Sequence, residues 1–367
     1  MTISSPTTPM GFLPSPPRTT TPPPSPENTS SRYRVMASFC LREPAPNANV
    51  SNWIECYNPC DNTWTYVNPV PGLADNQVLK GFAMVSLGDS IFIIGGRLCR
   101  KDRARGEEFI EVDVEVLSTV LRYNVTTTQW SKCTPLGTPR YDFACTVCEN
   151  KIYVAGGKST LESARGISLA EGFDPALNVW TPLPNMSTLR YKCVGVTWQG
   201  KILVVGGFAD RLDSDRTVPY ALERSSAELF DPSSGRWDLM VGMWQLDVPP
   251  NQIVVVDGNL FSSGDCLKAW KGHIEAYDMN LNIWNIVDGS QLQTLCSPLY
   301  LTVAPLGTLL YFLAGYRRGA GGSSNFISMV HVFDTLADED AWRDLEPIQE
   351  VGDKELCSHG CVVQLSI

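Results

Sequence analysis

Twelve cysteines and three histidines are the side chains of this 367-residue chain best suited to metal or nucleophilic chemistry. Their spacing argues against both. Cys145 and Cys148 have the separation of half a zinc site, but no second pair matches it, and residues three apart on a strand point to opposite faces. Cys56 with Cys60 and Cys357 with Cys361 are weaker pairs. His273, His331 and His359 fall in three separate stretches, without the i, i+4 spacing by which a helix presents two ligands. Gly319, Gly321 and Gly322 form a flexible loop, since no phosphate-binding helix follows them. No nucleophile stands beside a base in a recognisable motif. A non-enzymatic chain without metal or cofactor is expected.

A different chemistry gathers in a few polar stretches. Arg97, Arg100, Lys101, Arg103 and Arg105 are the densest cationic run, and Arg216 and Arg224 form a second group. Lys268, Trp270 and Lys271, then Tyr316, Arg317 and Arg318, set aromatic rings beside cations. Guanidinium forks suit carboxylate and phosphate groups, and arginine with aromatics anchors most protein interfaces. The predicted role of these residues is to grip another protein, through an acidic or phosphorylated segment. The bland alternative is a solvated rim whose charges pair with one another.

The elements that must position these side chains repeat along the chain. Between Phe143 and Trp180, two apolar runs flank a polar turn at Glu149 and Asn150, the second run ends in Gly156 and Gly157, and a third ends in Phe173. Such alternation reads as antiparallel strands. The glycine pair recurs at Gly95 and Gly96 and at Gly206 and Gly207, with reduced forms at Gly264 and Gly315. An aromatic residue and then a tryptophan follow each: Tyr123/Trp130, Phe173/Trp180, Phe230/Trp237, Tyr277/Trp284 and Phe333/Trp342. A sixth pair, Tyr57/Trp64, has an upstream run (Arg34 to Cys40) but no first strand before it. The missing strand is supplied by His359 to Ile367, so one sheet is shared between the two ends and the repeats close into a ring. The repeat tryptophans are expected in the core as apolar plates between sheets.

This pattern resembles the kelch repeat, over about Arg34 to Ile367, and Arg140 and Arg190 match the arginine that such repeats often carry before the first strand. The resemblance implies an all-β, six-bladed kelch-type β-propeller, residues 34–367, acting as a protein-binding module. Departures are Ser263 and Ala314 in place of the first glycine of the pair, and no pair in the composite sheet. Plant kelch proteins often carry a helical F-box that docks them onto a ubiquitin ligase. Residues 1–33 have neither the length nor the apolar period for one, so a ubiquitin-related adaptor role is the second reading. Kelch-like copper oxidases resembling galactose oxidase are a third, with three histidines against it. Plant iron-dependent relatives carry a Glu-x3-Asp-x3-His pattern, and no glutamate here is followed four residues later by aspartate.

In the resembling architecture, the most variable segments connect strands two and three on one face. Those six loops hold 15 of 29 Lys and Arg but 13 of 39 Asp and Glu, hence about +2 (15 minus 13) against about −12 elsewhere (14 minus 26). Overall charge is −10, which lacks the basic footprint of a nucleic-acid binder. No apolar run approaches a membrane span of about 18 residues. Residues 1–33 are rich in Pro, Ser and Thr and are expected to be disordered, with Ser5, Thr8, Ser15, Thr21 and Ser25 each before proline. A monomer with free thiols in the cytoplasm or nucleus is expected, with a plastid transit role for the tail as the alternative.

Overall fold

A computed structural model describes residues 32–42, 49–103, 109–211, 225–245, 248–266, 270–292, 297–318, 325–337 and 340–365, the side chains of 103, 109, 210 and 211 excepted. The segment expected to be a disordered tail therefore lies almost wholly outside the described residues. Every strand pairing among the described residues is antiparallel, and the sheets follow the expected repeat.

The first sheet joins the two ends of the chain. Its inner strand is Lys354–Gln364, followed outward by Tyr33–Leu41, Trp53–Asn58 and Thr63–Pro69. The second sheet runs Ala83–Leu87, Ser90–Ile94, Val120–Asn124 and Gln129–Cys133. The third is Ala144–Cys148, Lys151–Ala155, Ala170–Asp174 and Val179–Leu183. The fourth is Val194–Trp198, Lys201–Val205, Ser226–Asp231 and Arg236–Val241. The fifth is Ile253–Val256, Asn259–Ser262, Glu275–Asp278 and Ile283–Ile286. The sixth is Tyr300–Leu306, Leu309–Arg318, Asn325–Asp334 and Trp342–Asp344, extended by Ile348–Glu350. Each inner strand packs beside the next, and the sixth sheet's meets that of the first, so the ring is closed.

The second strands show why no sheet stands alone. Along a strand, alternate side chains face opposite ways. Ile91 and Ile93 enter the apolar cluster shared with the first sheet, whereas Phe92 and Ile94 enter the cluster shared with the third. Leu203 and Val205 likewise face the fifth sheet, and Ile202 and Val204 face the third. Both faces are apolar, so each sheet needs a neighbour on either side. Corresponding clusters join the fifth sheet to the sixth and the sixth to the first.

The aromatic–tryptophan spacing is a hairpin register. Tyr57, Tyr123, Phe173, Phe230, Tyr277 and Phe333 stand directly opposite their tryptophans on the neighbouring strand. Ring centroids lie 4.9 Å apart in the Phe173–Trp180 pair and 5.4 Å in Tyr277–Trp284. The stretched sixth pair reaches the same register because its turn is longer.

One expectation is corrected here. Trp64, Trp130, Trp180, Trp237, Trp284 and Trp342 are half-buried rather than core. They sit on the outermost strand, where the sheets diverge and only one side of the indole can be covered. Three of them tie neighbouring sheets together: the indole N–H groups of Trp180, Trp237 and Trp284 donate to the carbonyls of Thr134, Pro184 and Met243, at 2.9, 2.7 and 2.7 Å. The aromatic partners Tyr57 and Phe173 are fully buried instead.

The glycine pairs turn the chain out of the second strand with left-handed backbone, as at Gly156 (φ 72°) and Gly157 (φ 92°). Gly315 differs: it lies within a strand, and a Cβ there would overlap the Tyr300 ring.

Arg140 and Arg190 are both fully buried. Arg190 donates to the carbonyls of Gly206 and Ser226, both at 3.0 Å, and pairs with Glu228 at 3.3 Å. Glu228 in turn accepts from the backbone N–H groups of Ser187 and Thr188. The carbonyl of Arg190 accepts from the Gly157 N–H at 2.8 Å, so one residue fastens the third sheet to the fourth. Arg140 and Glu171 repeat the arrangement one sheet earlier. The acidic partners carry a sequence signal, glutamate two residues before the repeat aromatic.

Two stability outcomes follow. Arg190→Ala leaves Glu228 buried without its countercharge, and should cost about 3–5 kcal/mol in denaturant unfolding. Deleting residues 359–367 removes the strand partners of Tyr33, Arg34, Val35 and Met36 and should lower stability far beyond the ~0.5 kcal/mol of a surface change. A truncated chain with the wild-type melting temperature would contradict the closure.

Candidate interaction face

Because every second strand leaves the ring in the same sense, the connections between strands two and three emerge on one face. Two of them carry extra strands. Gln77–Lys80, Arg97–Arg103 and Phe109–Val116 form a small three-stranded sheet, and Thr188–Tyr191 pairs with Phe208–Arg211.

The predicted anchors separate into three groups. Lys101, Trp270 and Tyr316 are buried and cannot meet a partner. The Lys101 ammonium pairs with Glu355 at 3.5 Å and donates to the Leu41 carbonyl at 2.7 Å, so it fastens the extra sheet to the closing strands. Trp270 stacks on Phe312 with centroids 5.0 Å apart, and its indole donates to the His273 carbonyl. The Tyr316 hydroxyl meets His331 Nε2 at 3.1 Å. In each case the aliphatic stem or ring supplies more by filling an inter-sheet gap than by projecting outward.

The second group reaches solvent but is already paired. Arg97 contacts Asp113 at 2.9 Å and Asp142 at 3.8 Å, Arg100 contacts Asp102 at 2.6 Å, and Arg317 contacts Asp353 at 2.9 Å. Arg318 and Lys271 form the third group, exposed and without an ion pair among the described residues. Arg105, Arg216, Arg224 and Lys268 lie outside the described residues, as does the side chain of Arg103.

Two lysines absent from the sequence-derived set stand closer to the axis. Lys158 lies over the Tyr191 ring at 4.2 Å, and Lys192 is exposed at the start of the fourth sheet. With Arg97 they surround Asp142. Burial pushes the Asp142 carboxyl above its usual range, while Arg97, Lys192 and Lys158 pull it back. Asp142 and Lys192 occupy equivalent repeat positions, both left-handed at φ 54°, and a backbone chain links them: Asp142 N–H donates to the Gly81 carbonyl, and Lys192 N–H to the Asp142 carbonyl. The signal was present in sequence as Arg140-Tyr141-Asp142 and Arg190-Tyr191-Lys192, the third residue of each pointing to the rim.

Along the axis, the inner strands enclose a cavity of about 360 Å³ lined by Cys145, Cys193, Gln252, His359 and Cys361 among others. The three histidines do not converge. His331 is held between Tyr316 and Asp344 (Nδ1 to Oδ1 2.6 Å), and His359 lines this cavity. Cys145 and Cys148 face opposite clusters, as their spacing implied. Among the described residues, the single metal-type grouping is Cys99, Glu111 and Asp113. Its acids are engaged by Lys80 at 2.6 Å and Arg97 at 2.9 Å, and burial pushes the Cys99 thiol up to about 12.

Residues 139–187 match the family model described as Kelch motif. The ring is a β-propeller that carries a kelch motif. The chain is 31% identical over 206 residues to an F-box/kelch-repeat protein of Arabidopsis thaliana, covering 56% of this chain and 49% of the relative. A second F-box/kelch-repeat protein of that plant is 35% identical over 120 residues, covering 33% and 28%. Kelch-like protein 23 of Homo sapiens is 26% identical over 187 residues, covering 51% and 28%. The chain thus spans half or less of the length of these curated relatives. Among solved structures, that of YjhT superposes with a TM-score of 0.51 at 13% identity, covering 74% of this chain and 84% of that one, a likeness of fold. No helix among the described residues is long and apolar enough to cross a membrane.

His359 gives the kelch ring a pH signature. Burial holds its imidazole down at about 4, with a hydrogen bond to the Asn251 backbone pulling the other way, and its Nδ1 has no partner among the described residues. The unfolded chain, with histidine near 6.5, binds the extra proton first, so stability falls as pH drops from about 6.5 to 4. Unfolding titrations of His359→Gln should show a shallower fall across that window than wild type.

Proposed function

We propose that this chain is a non-catalytic binding module that holds an acidic or phosphorylated segment of another protein on the rim around Asp142. The observation that carries this reading is the placement of Lys158 and Lys192. Lys158 stands over the Tyr191 ring, Lys192 is exposed at the next position along the chain, and neither forms an ion pair among the described residues. Arg97 adds a third cation whose charge is shared between two carboxylates. Exposed Lys271 and Arg318 lie farther out on the same face. Variable loops on a rigid ring are the usual place for recognition. Buried free thiols such as Cys40, Cys148 and Cys193 fit a reducing compartment, the cytoplasm or nucleus.

Lys158→Glu combined with Lys192→Glu should reduce capture of acidic and phosphorylated peptides on an array at least tenfold. Wild-type binding should weaken as salt is raised through physiological strength, as expected of exposed charge pairs. Binding unchanged by the double reversal would remove the rim assignment.

A second reading is favoured by the similarity to plant F-box/kelch-repeat proteins. In it the same face selects substrates for a ubiquitin ligase. Affinity purification of wild type and the double variant separates the two: ligase subunits recovered with both proteins, together with a partner lost from the variant, support the adaptor role.

A further inference from the structure

The closing strands carry a pair of thiols in contact. Cys40, near the end of Tyr33–Leu41, stands opposite Glu355 on Lys354–Gln364. The register of this pairing slips between Ser38 and Phe39: Ser38 faces Ser358 and Phe39 faces Leu356, leaving Cys357 as the extra residue of a bulge. A bulge re-aims the side chain it carries. Here Leu356 packs with Phe39 and Trp53, while Cys357 packs with Cys40, Val50, Val78 and Cys99 on the other side. Both thiols converge on Glu355, Cys40 Sγ donating to its carboxylate at 3.8 Å and Cys357 Sγ to its carbonyl at 3.6 Å. The Lys101 ammonium lies 3.7 Å from Cys40 Sγ, and Glu355 Oε2 lies 3.8 Å from it.

We propose that Cys40 and Cys357 are a reversible redox pair whose disulfide joins the N-terminal and C-terminal strands covalently. This inference is independent of the rim reading. Cys40 is the natural nucleophile, because the Lys101 ammonium stands 3.7 Å from its sulfur. Its thiol is held below the usual cysteine range by the neighbouring Cys357 and then the Lys101 charge, against burial, whereas Cys357 is pushed well above it. The thiolate, rather than the thiol, reacts. With a peroxide as oxidant, Cys40 Sγ attacks one peroxide oxygen and becomes a sulfenic acid as the second oxygen leaves as hydroxide. The Cys357 sulfur then attacks Cys40 Sγ and expels its hydroxyl, which leaves as water with the Cys357 proton. Two thiols lose two electrons, and hydrogen peroxide is reduced to two waters.

Cys40 itself is buried, and Glu355 beside it retains about a quarter of its side-chain exposure. Burial of Cys40 excludes a protein disulfide, so the oxidant is a small peroxide. Cys60 and Cys266 are exposed and oxidise independently, but the other buried thiols compete poorly. Cys99 is held by Asp113, and burial raises Cys145, Cys193 and Cys361. A cross-link between positions 40 and 357 spans almost the entire ring, so it restricts the unfolded chain strongly.

The test is peptide mass mapping of the wild-type protein after brief treatment with hydrogen peroxide, beside a melting curve. Expected is a peptide linking Cys40 to Cys357, a melting temperature raised by on the order of 5 °C, and reversal of both by dithiothreitol. In Cys357→Ser, the link should vanish and Cys40 should become labelled by dimedone as a sulfenic acid. A wild-type map in which Cys40 pairs with Cys99, or stays a free thiol while other cysteines oxidise, overturns the proposal. Because the mapping uses wild type, it stands even where the serine variant folds poorly.

Discussion

A β-sheet edge left open is a row of unpaired N–H and C=O groups, and this molecule removes its last inner edge by pairing Tyr33–Leu41 with Lys354–Gln364. Everything else depends on that antiparallel contact between the ends of the chain. Without the inner strand, the first sheet cannot cover either neighbour, and the apolar faces of the second and sixth sheets lose their partner. The charge arrangement at this seam differs from the rest of the ring. Lys354 pairs with Glu55 at 2.8 Å and Glu350 at 3.4 Å, and Tyr300 donates to Glu350, where the third and fourth sheets use an arginine and one glutamate.

Buried ions serve the ring in a consistent way. A guanidinium taken from water is costly unless all its donors are satisfied, and Arg190 satisfies them with two carbonyls, a hydroxyl and a carboxylate. The result is direction: these bonds orient one sheet relative to the next, which apolar packing alone does poorly. The rim above them is free to vary. Recognition and architecture are therefore divided between neighbouring residues of one tripeptide, with Arg190 inside and Lys192 outside.

Much of the fold was legible because the repeat has physical causes that act locally. The seven-residue gap between aromatic and tryptophan is the length of a hairpin with a four-residue turn. The fifth residue after the aromatic adopts left-handed backbone at Asn62, Thr128, Asn178, Gly235 and Asn282. The site was less legible. Lys101 reads as part of a cationic loop but lies within a strand, with its ammonium drawn inward by Glu355, some 250 residues later. Trp270 and Tyr316 read as anchors beside cations, yet their rings fill the space around Phe312 and His331. Lys158 and Lys192 carry a weaker signal, because neither lies in a dense cationic run.

Composition and spacing alone determined the antiparallel strands, the number of repeats, and which ends must meet, since each follows from periodicity within a few tens of residues. Tertiary structure alone decided which cations face solvent, which tryptophan edge is covered, and that Cys357 turns toward Cys40. Those outcomes depend on atoms brought together from distant sheets, and no local pattern encodes how much of a side chain its neighbours will cover.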